Sequence, residues 1–311
     1  MEGWIARDAL KAVSRERLRA LSRKSDARGA VQAASHVGAI TLTTAGLALL
    51  SPAAPWTFIP LFLAQGVLIN CLYAGQHELS HWTVFRTKAA NDLLGHAFGL
   101  ATLNPFLTDR WLHFAHHRAT NDPARDPELL GTGPYSLGTY TLDLLGVSFW
   151  ARRVRGIARA AAGRGLERDY WLSARERRIA VLEARLHIAG WLAIAAVSAV
   201  LQSWLALELW LAPLFLTKWF HQLQNTGEHT GMPPEPDILA NTRTLSGPAP
   251  MRWLMWNMSY HTAHHCFPAV PFHALPALHR EMSARLGARI RTRGYIAAQR
   301  DIFASLVAAR G

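Results

Sequence analysis

Nine histidines of this chain fall into four short patterns whose spacing could hold metal ions. They are His77, His81, His113, His116, His117, His229, His261, His264 and His265. The first two form an HxxxH pair, the next three and the last three form HxxHH triplets, and His229 follows Asn225 in an NxxxH pattern. Residues three or four apart share one face of a helix, so each pattern would direct its imidazoles at one place. Nine imidazoles exceed the ligand set of one ion, so the spacing predicts two metal ions.

The ligand type alone leaves the identity of the metal open. Imidazole suits iron, copper, nickel and zinc. Cysteine is absent from the four patterns, which argues against structural zinc. The two cysteines of the chain, Cys71 and Cys266, are too few for a disulfide framework or an iron–sulfur site, so we expect reduced, buried thiols.

Other polar residues near the patterns could add a ligand or hold a ligand in place. These candidates are Asn225, His221, His96, Asp122, Asp126, Glu78 and Glu228. We predict that Asp122 and Asp126 accept hydrogen bonds from the second nitrogen of ligand histidines. The alternative is that they form turns beside Pro123 and Pro127. His221 lies one helical turn before Asn225, where it could support the site or be a buried, hydrogen-bonded histidine.

Long uncharged stretches must position these patterns. Residues 29–77 contain no Asp, Glu, Lys or Arg, and a membrane-spanning helix needs roughly 20 apolar residues. We therefore predict spans at about 33–50 and 56–76, and a second pair at about 182–203 and 206–225. No stretch alternates with period two for long enough to indicate a sheet. The predicted fold is an all-α integral membrane protein: four transmembrane helices in two hairpins, with a helical cytoplasmic cap that holds a di-metal site.

The distribution of basic residues predicts the orientation. All 33 Lys and Arg lie before residue 29, between residues 86 and 185, or from residue 218 onward. By the positive-inside rule, that side faces the cytoplasm. The protein would lie in the inner (cytoplasmic) membrane, with both termini and all nine histidines on the cytoplasmic side. The net charge of +12 fits anionic lipid headgroups better than nucleic acid, which would leave the uncharged run unexplained.

We divide the chain into three parts. Residues 1–28 form a basic amphipathic segment that suits a helix at the membrane surface, although a solvated helix fits nearly as well. Residues 29–280 form the membrane domain, whose cap comprises residues 77–181 and 226–280. Residues 281–311 form a basic, helical C-terminal tail.

The chain resembles the membrane fatty acid desaturase and hydroxylase superfamily over about residues 56–280. The matching stretches are HELSH at 77–81, HFAHHRATNDPARDPE at 113–128, NTGEHTG at 225–231 and SYHTAHHCFPAVPFHALPALH at 259–279. The resemblance implies four transmembrane helices under a cytoplasmic cap and two iron ions bound by the nine histidines. In some members the residue at the position of Asn225 completes a metal's ligand shell, directly or through water.

The resemblance also implies the reaction and its partners. Dioxygen would be the co-substrate, and the product would be a desaturated fatty acyl or similar lipid chain. Hydroxylation, or oxidative decarboxylation to a terminal alkene, would need the same site. The chain has no flavin, haem or iron–sulfur motif, so a ferredoxin, rubredoxin or cytochrome would have to supply electrons. An acidic donor would be steered to the basic face.

Two other functions are compatible with part of the pattern. His77 to His81 also satisfies HExxH, the signature of zinc metalloproteases, and would sit at a membrane surface as in an intramembrane protease. That function would leave most of the clustered histidines unused. A membrane protein that stores or carries metal would explain the many histidines, but not their repeated helical spacing.

Overall fold

The computed structural model describes residues 7–129, 135–165 and 170–308 and shows a mostly helical chain. Its helices are α1 (Arg7–Ala12), α2 (Arg15–Leu21), α3 (Asp26–Ala45), α4 (Phe58–Ser80), α5 (Lys88–Ala101), α6 (Phe106–Arg118), α7 (Leu137–Leu144), α8 (Val147–Ala161), α9 (Ala174–Val200), α10 (Ala212–Leu216), α11 (Lys218–His229), α12 (Ile238–Asn241), α13 (Ala249–Leu254), α14 (His261–Cys266), α15 (Leu275–Leu286) and α16 (Tyr295–Ala308).

Two short strands depart from the all-helical prediction. Strands β1 (Thr244–Ser246) and β2 (Thr292–Gly294) pair in parallel, with Thr244 opposite Thr292. Each strand has three residues, which is too short for the alternation of apolar and polar residues to be visible in the sequence. The sheet joins the segment just before α16 to the segment just before α13.

Three helices are long and apolar enough to cross a membrane in the described part of the chain. They are Asp26–Leu50, which includes a π-helical turn at its end, Pro55–Ser80 and Ala174–Val200. Each overlaps one of the first three predicted spans. Many of their large apolar side chains, such as Leu42 and Leu192, are exposed, as expected for helix faces that contact lipid.

The fourth predicted span, 206–225, is broken into short pieces. A π-helical turn at Leu207–Leu211 leads into α10, and α11 begins only after Thr217, whose φ of −109° is not helical. The side-chain amide of Asn70 in α4 donates to Leu214 O at 2.9 Å and to Thr217 Oγ1 at 3.1 Å. This contact provides a hydrogen-bond donor for a backbone carbonyl at the break. Inside a bilayer, no water would be available to serve as that donor. Crossing of the membrane by this segment remains a prediction.

Helix α4 lies at the centre of the fold, packed against α3, α5 and α10. Two glycines allow this close packing. A Cβ on Gly66 would overlap Pro213 O and Thr217 Oγ1, and a Cβ on Gly75 would lie 2.8 Å from atoms of Phe98 and Trp256. Because α4 is fixed on several sides, the histidines at its end have a defined position.

The N-terminal and C-terminal segments pack onto this body. Ala9, Val13 and Leu21 are buried in one cluster with Leu275 and Leu278 of α15, so the apolar face of α1 and α2 contacts protein. Helix α16 packs against α11. The boundary proposed at residue 280 falls inside α15, and residues 1–6 and 309–311 of the terminal segments lie outside the described residues.

Candidate metal centre

Four helix ends bring the nine predicted histidines together. His77 lies in the last turn of α4, and His81 follows directly after that helix. The first HxxHH triplet occupies the C-terminal half of α6, and His229 is the last residue of α11. The second HxxHH triplet makes up half of the six-residue helix α14. Each helix therefore presents its histidines at one end, and the four ends meet.

The histidines form two groups that could each hold a metal ion. Group A comprises His77, His81, His113, His117 and His264, and group B comprises His116, His229, His261 and His265. Within each group the ligand atoms all lie within 4.8 Å of one another. The groups are neighbours, because the ring of His117 in group A stacks on that of His265 in group B with centroids 4.2 Å apart.

The Nε2 atoms converge inside each group. In group A, His81 and His117 each place Nε2 2.8 Å from Nε2 of His113, and the Nε2 atoms of His77 and His264 are 2.9 Å apart. In group B, the Nε2 atoms of His229 and His265 lie 2.9 Å and 3.0 Å from that of His261. Two nitrogens bound at about 2.1 Å to one ion, at right angles to each other, lie about 3.0 Å apart. The donor set therefore fits two metal ions.

The Nδ1 atoms point away from the group centres toward acceptors. Nδ1 of His116 is 2.8 Å from Asp126, and Nδ1 of His261 is 3.2 Å from Glu228. Nδ1 of His113 and His116 each lie 3.7 Å from Glu128, and Nδ1 of His264 lies 3.7 Å from Glu78. Nδ1 of His229 is 3.1 Å from the carbonyl oxygen of Asn241. Asp126 and the Asn241 carbonyl lie within hydrogen-bonding distance, and an acceptor at that position favours the proton on Nδ1, which leaves Nε2 free to bind metal.

Burial keeps most of these imidazoles neutral, which is the form that binds metal. It lowers the pKa of His113, His117 and His265 well below the usual value, and the pKa of His229 and His264 to about 3. His116 is the exception. Burial also acts to lower its pKa, but the charges of Asp126 and Glu128 outweigh burial and raise the pKa to about 9. At neutral pH an ion entering group B must therefore displace a proton from His116.

A comparison with protein families decides the family. A family model described as fatty acid desaturase matches residues 53–296, which include all nine histidines. The chain belongs to the fatty acid desaturase family. This is a family of oxidoreductases, and three long apolar helices fit the membrane location of such desaturases.

Individual desaturases are similar over parts of this chain. The chloroplastic omega-6 fatty acid desaturase of Arabidopsis thaliana is 22% identical over 272 residues, which cover 80% of this chain and 58% of that protein. An sn-1 oleoyl-lipid 12-desaturase of Picosynechococcus sp. is 28% identical over 109 residues, covering 32% and 31%. An sn-1 acyl-lipid omega-3 desaturase (ferredoxin) of Nostoc sp. is 33% identical over 72 residues, covering 23% and 20%. The chain thus spans less than two thirds of the length of each of these desaturases.

Three of the additional candidates lie away from the two groups in this member of the desaturase family. Nδ1 of His96 lies 3.6 Å from Glu183, whose carboxylate accepts hydrogen bonds from the first turn of α6. Nδ1 of His221 accepts a hydrogen bond from Lys218 Nζ at 3.2 Å. The carboxylate of Asp122 pairs with Arg125 at 2.6 Å and accepts from Ala124 N. The turn alternative is therefore correct for Asp122, and the prediction that it holds a histidine is wrong.

The remaining candidates lie at the groups. Asp126, Glu78 and Glu228 face Nδ1 atoms, as described above. Asn225 is exposed and lines a cavity that His116 and His229 also line. The role of Asn225 as a metal ligand stays a prediction.

Sequence reasoning missed three groups that contact the histidines. Glu128 lies two residues after Asp126 in the DPARDPE stretch, and this spacing could have identified it. The carbonyl oxygen of Asn241 and the hydroxyl of Thr120, 3.2 Å from Nδ1 of His265, carry no signal in the sequence. A backbone acceptor depends on where the chain folds back, which a local pattern does not report.

We expect that Asp126→Asn weakens metal binding at group B. The carboxylate of Asp126 is 1% exposed and orients His116, and loss of such a partner costs about 10–100-fold in metal affinity. Competition with a chelator, followed by metal analysis, measures the effect. Asp122→Asn is the matched control, because Asp122 contacts Arg125, and it should keep the wild-type affinity. Equal affinity in both variants would rule out this role for Asp126.

Proposed function

We propose that this protein is a membrane-bound di-iron oxidase that uses dioxygen and external electrons to oxidise C–H bonds of a fatty acyl or similar lipid chain. The proposed iron ligands are the nine histidines of groups A and B. The observation that carries the proposal is the convergence of Nε2 atoms into two adjacent groups, in a chain that the family model matches over residues 53–296. The protein would lie in the cytoplasmic membrane with both termini in the cytoplasm.

The residues of the chain prepare the site for this chemistry. Two bound iron ions would supply the activation of dioxygen that attack on an unactivated methylene requires. Asp126 lies within hydrogen-bonding distance of Nδ1 of His116, and Glu128 and Glu228 lie near Nδ1 of His116 and His261, which favours the orientation of these imidazoles. His264 is 0% exposed and His116 is 2% exposed, which keeps bulk water from the centre. Asn225 faces the cavity from which a substrate would approach.

Desaturation is the outcome that the relatives favour. All three named relatives are desaturases, and two of their names specify acyl or oleoyl lipids as what they act on. Hydroxylation or oxidative decarboxylation to a terminal alkene would use the same site and differ only in the fate of the substrate after the first C–H bond breaks.

An external protein would supply the electrons. The name of the Nostoc relative specifies ferredoxin, and a rubredoxin or cytochrome is the alternative for this chain. The basic residues of the cap and the termini would steer an acidic donor to the cytoplasmic face.

The position of Glu78 disfavours a zinc protease. The carboxylate of Glu78 is 0% exposed and faces Nδ1 of His264. Nε2 of the same ring faces His77, on the side where the metal would bind. A general base must reach a metal-bound water, and Glu78 lies behind a ligand instead.

The proposal predicts both a metal content and a change in lipids. Protein purified from a host grown with iron should contain two iron ions per chain. Lipids of the expressing host should gain chains that lack two hydrogen atoms, as seen by mass spectrometry. Chains that gain one oxygen atom would indicate hydroxylation instead. Zinc in place of iron, together with an unchanged lipid profile, would refute the proposal.

A further inference from the structure

A cavity of about 340 Å³ whose lining includes several charged residues adjoins group B. One face of α11 lines it with Lys218, His221, Asn225 and His229, which recur every three or four residues. The rise of an α-helix places Lys218 about 10 Å from Asn225 along the axis. The cavity therefore runs from a cationic end at Lys218 to the histidines of group B.

Two cations of this cavity, Lys218 and Arg153, form no salt bridge with any residue that the structure describes. Lys218 is 3% exposed, and its Nζ lies 3.8 Å from the centre of the Phe149 ring. Cζ of Arg153 lies 5.1 Å from the same ring, so two like charges are neighbours. Within residues 7–129, 135–165 and 170–308, neither cation has a carboxylate within 4 Å. A buried charge without a partner is costly, so this arrangement favours an anionic ligand.

The acidic residues of the cavity do not neutralise these cations. Asp126 and Glu128 face Nδ1 of His116, and Asp143 is paired with Arg152 and Tyr135. Asp109 also lines the cavity and receives a hydrogen bond from Gln76. Asp109 is then the one carboxylate that could balance Lys218 and Arg153, so the cationic end of the cavity keeps an excess of positive charge.

A second cavity, which is apolar, meets the first cavity at Arg153. It has a volume of about 930 Å³ and lies between α8, α9 and the broken segment that precedes α11. Ile188, Trp191 and Leu211 are among its lining residues, and Arg153 and Ile157 line both cavities. An apolar space joined to a buried cationic site fits an amphiphile that has one anionic end.

We propose that the substrate carries an anionic end group, a carboxylate or a phosphate, which binds between Arg153 and Lys218. This inference rests on the proposed function and adds the class of substrate to it. Fixing the end group fixes the rest of the chain relative to groups A and B.

Binding measurements on the purified, iron-loaded protein in lipid nanodiscs test this proposal. The probes are palmitate, hexadecyl phosphate and methyl palmitate, each competing with radiolabelled palmitate. An anionic probe should bind at least about tenfold more tightly than the ester, because charge-assisted hydrogen bonds are lost with the ester. Preference for palmitate indicates a free acid, and preference for hexadecyl phosphate indicates a phosphate headgroup. Equal binding of all three probes would overturn the proposal.

Variants connect the preference to the two cations. The double variant Arg153→Gln/Lys218→Met should bind the ester and the anionic probes equally, with its iron content unchanged. Arg178→Gln is the matched control, because Arg178 is exposed on the neighbouring helix α9 and lines neither cavity, so this variant should retain the preference. Persistence of the full preference in the double variant would contradict the assignment. Iron content and lipid oxidation are measured separately. Failure of the proposed function would appear as a centre without iron, whereas failure of the anion-binding proposal would leave the iron content intact.

Discussion

His264→Ala is expected to abolish lipid oxidation and to leave the protein with less than its full metal content. His264 is 0% exposed, and its Nε2 lies 2.9 Å from that of His77 within group A. Removing a ligand should reduce activity by more than the roughly 10–100-fold that follows loss of a ligand's hydrogen-bond partner. Metal analysis of the purified variant, together with mass spectrometry of host lipids, measures both effects.

The control for this variant is His279→Ala. His279 lies in α15, and neither metal group includes it; its ring contacts Tyr260 and lies 3.4 Å from Ser283 Oγ. The same substitution there should keep the iron content and the lipid products. If His264→Ala retained full iron and wild-type products, the assignment of group A as a metal site would have to be abandoned.

Gly66→Leu is expected to prevent stable folding of the membrane domain. At this position α4 approaches the broken segment so closely that even a Cβ would overlap Pro213 O and Thr217 Oγ1. Pro213 lies within α10 and Thr217 follows that helix directly, so the backbone atom Pro213 O cannot yield without moving α10. Overpacking a core typically costs 1–3 kcal/mol, and a backbone contact places this variant at about 3 kcal/mol or more. The yield of monodisperse protein and its melting temperature in detergent report the loss.

Gly38→Leu provides the comparison within the same hairpin. Gly38 lies in α3, and a Cβ there meets nothing within 4 Å. This variant should elute and melt as the wild type does. A melting temperature of Gly66→Leu equal to that of Gly38→Leu would show that the contact between α4 and α10 does not limit stability.

The sequence predicts the parts of this fold that depend on local composition. The uncharged run at residues 29–77 corresponds to two long apolar helices, and the histidine spacing corresponds to helix ends that meet. The division into groups A and B could not be predicted, because each HxxHH triplet divides its members between the two groups. His113 and His117 belong to group A, whereas His116 between them belongs to group B. This division depends on how four helices cross, which local spacing does not determine.

Other features differ because tertiary contacts override the local pattern. The segment after residue 206 is apolar enough to suggest one long helix, but Asn70 stabilises a break at Thr217. His96 is near the histidine patterns in sequence, yet α5 directs it toward Glu183 on α9. In each case the deciding partner lies far away along the chain.

Four carboxylates, Glu78, Asp126, Glu128 and Glu228, surround the nine imidazoles. Burial raises the pKa of Glu128 to about 7 and that of Glu228 well above its usual value, so these carboxyls can hold protons before metal enters. Two divalent ions would balance the charge of all four carboxylates once those protons had left. An electroneutral assembly has a small desolvation cost next to hydrocarbon, whereas a half-filled one leaves uncompensated charge in a poorly screened place. The first ion would enter a centre with more excess negative charge than the second ion would, so the second ion should be bound more weakly and lost first to a chelator.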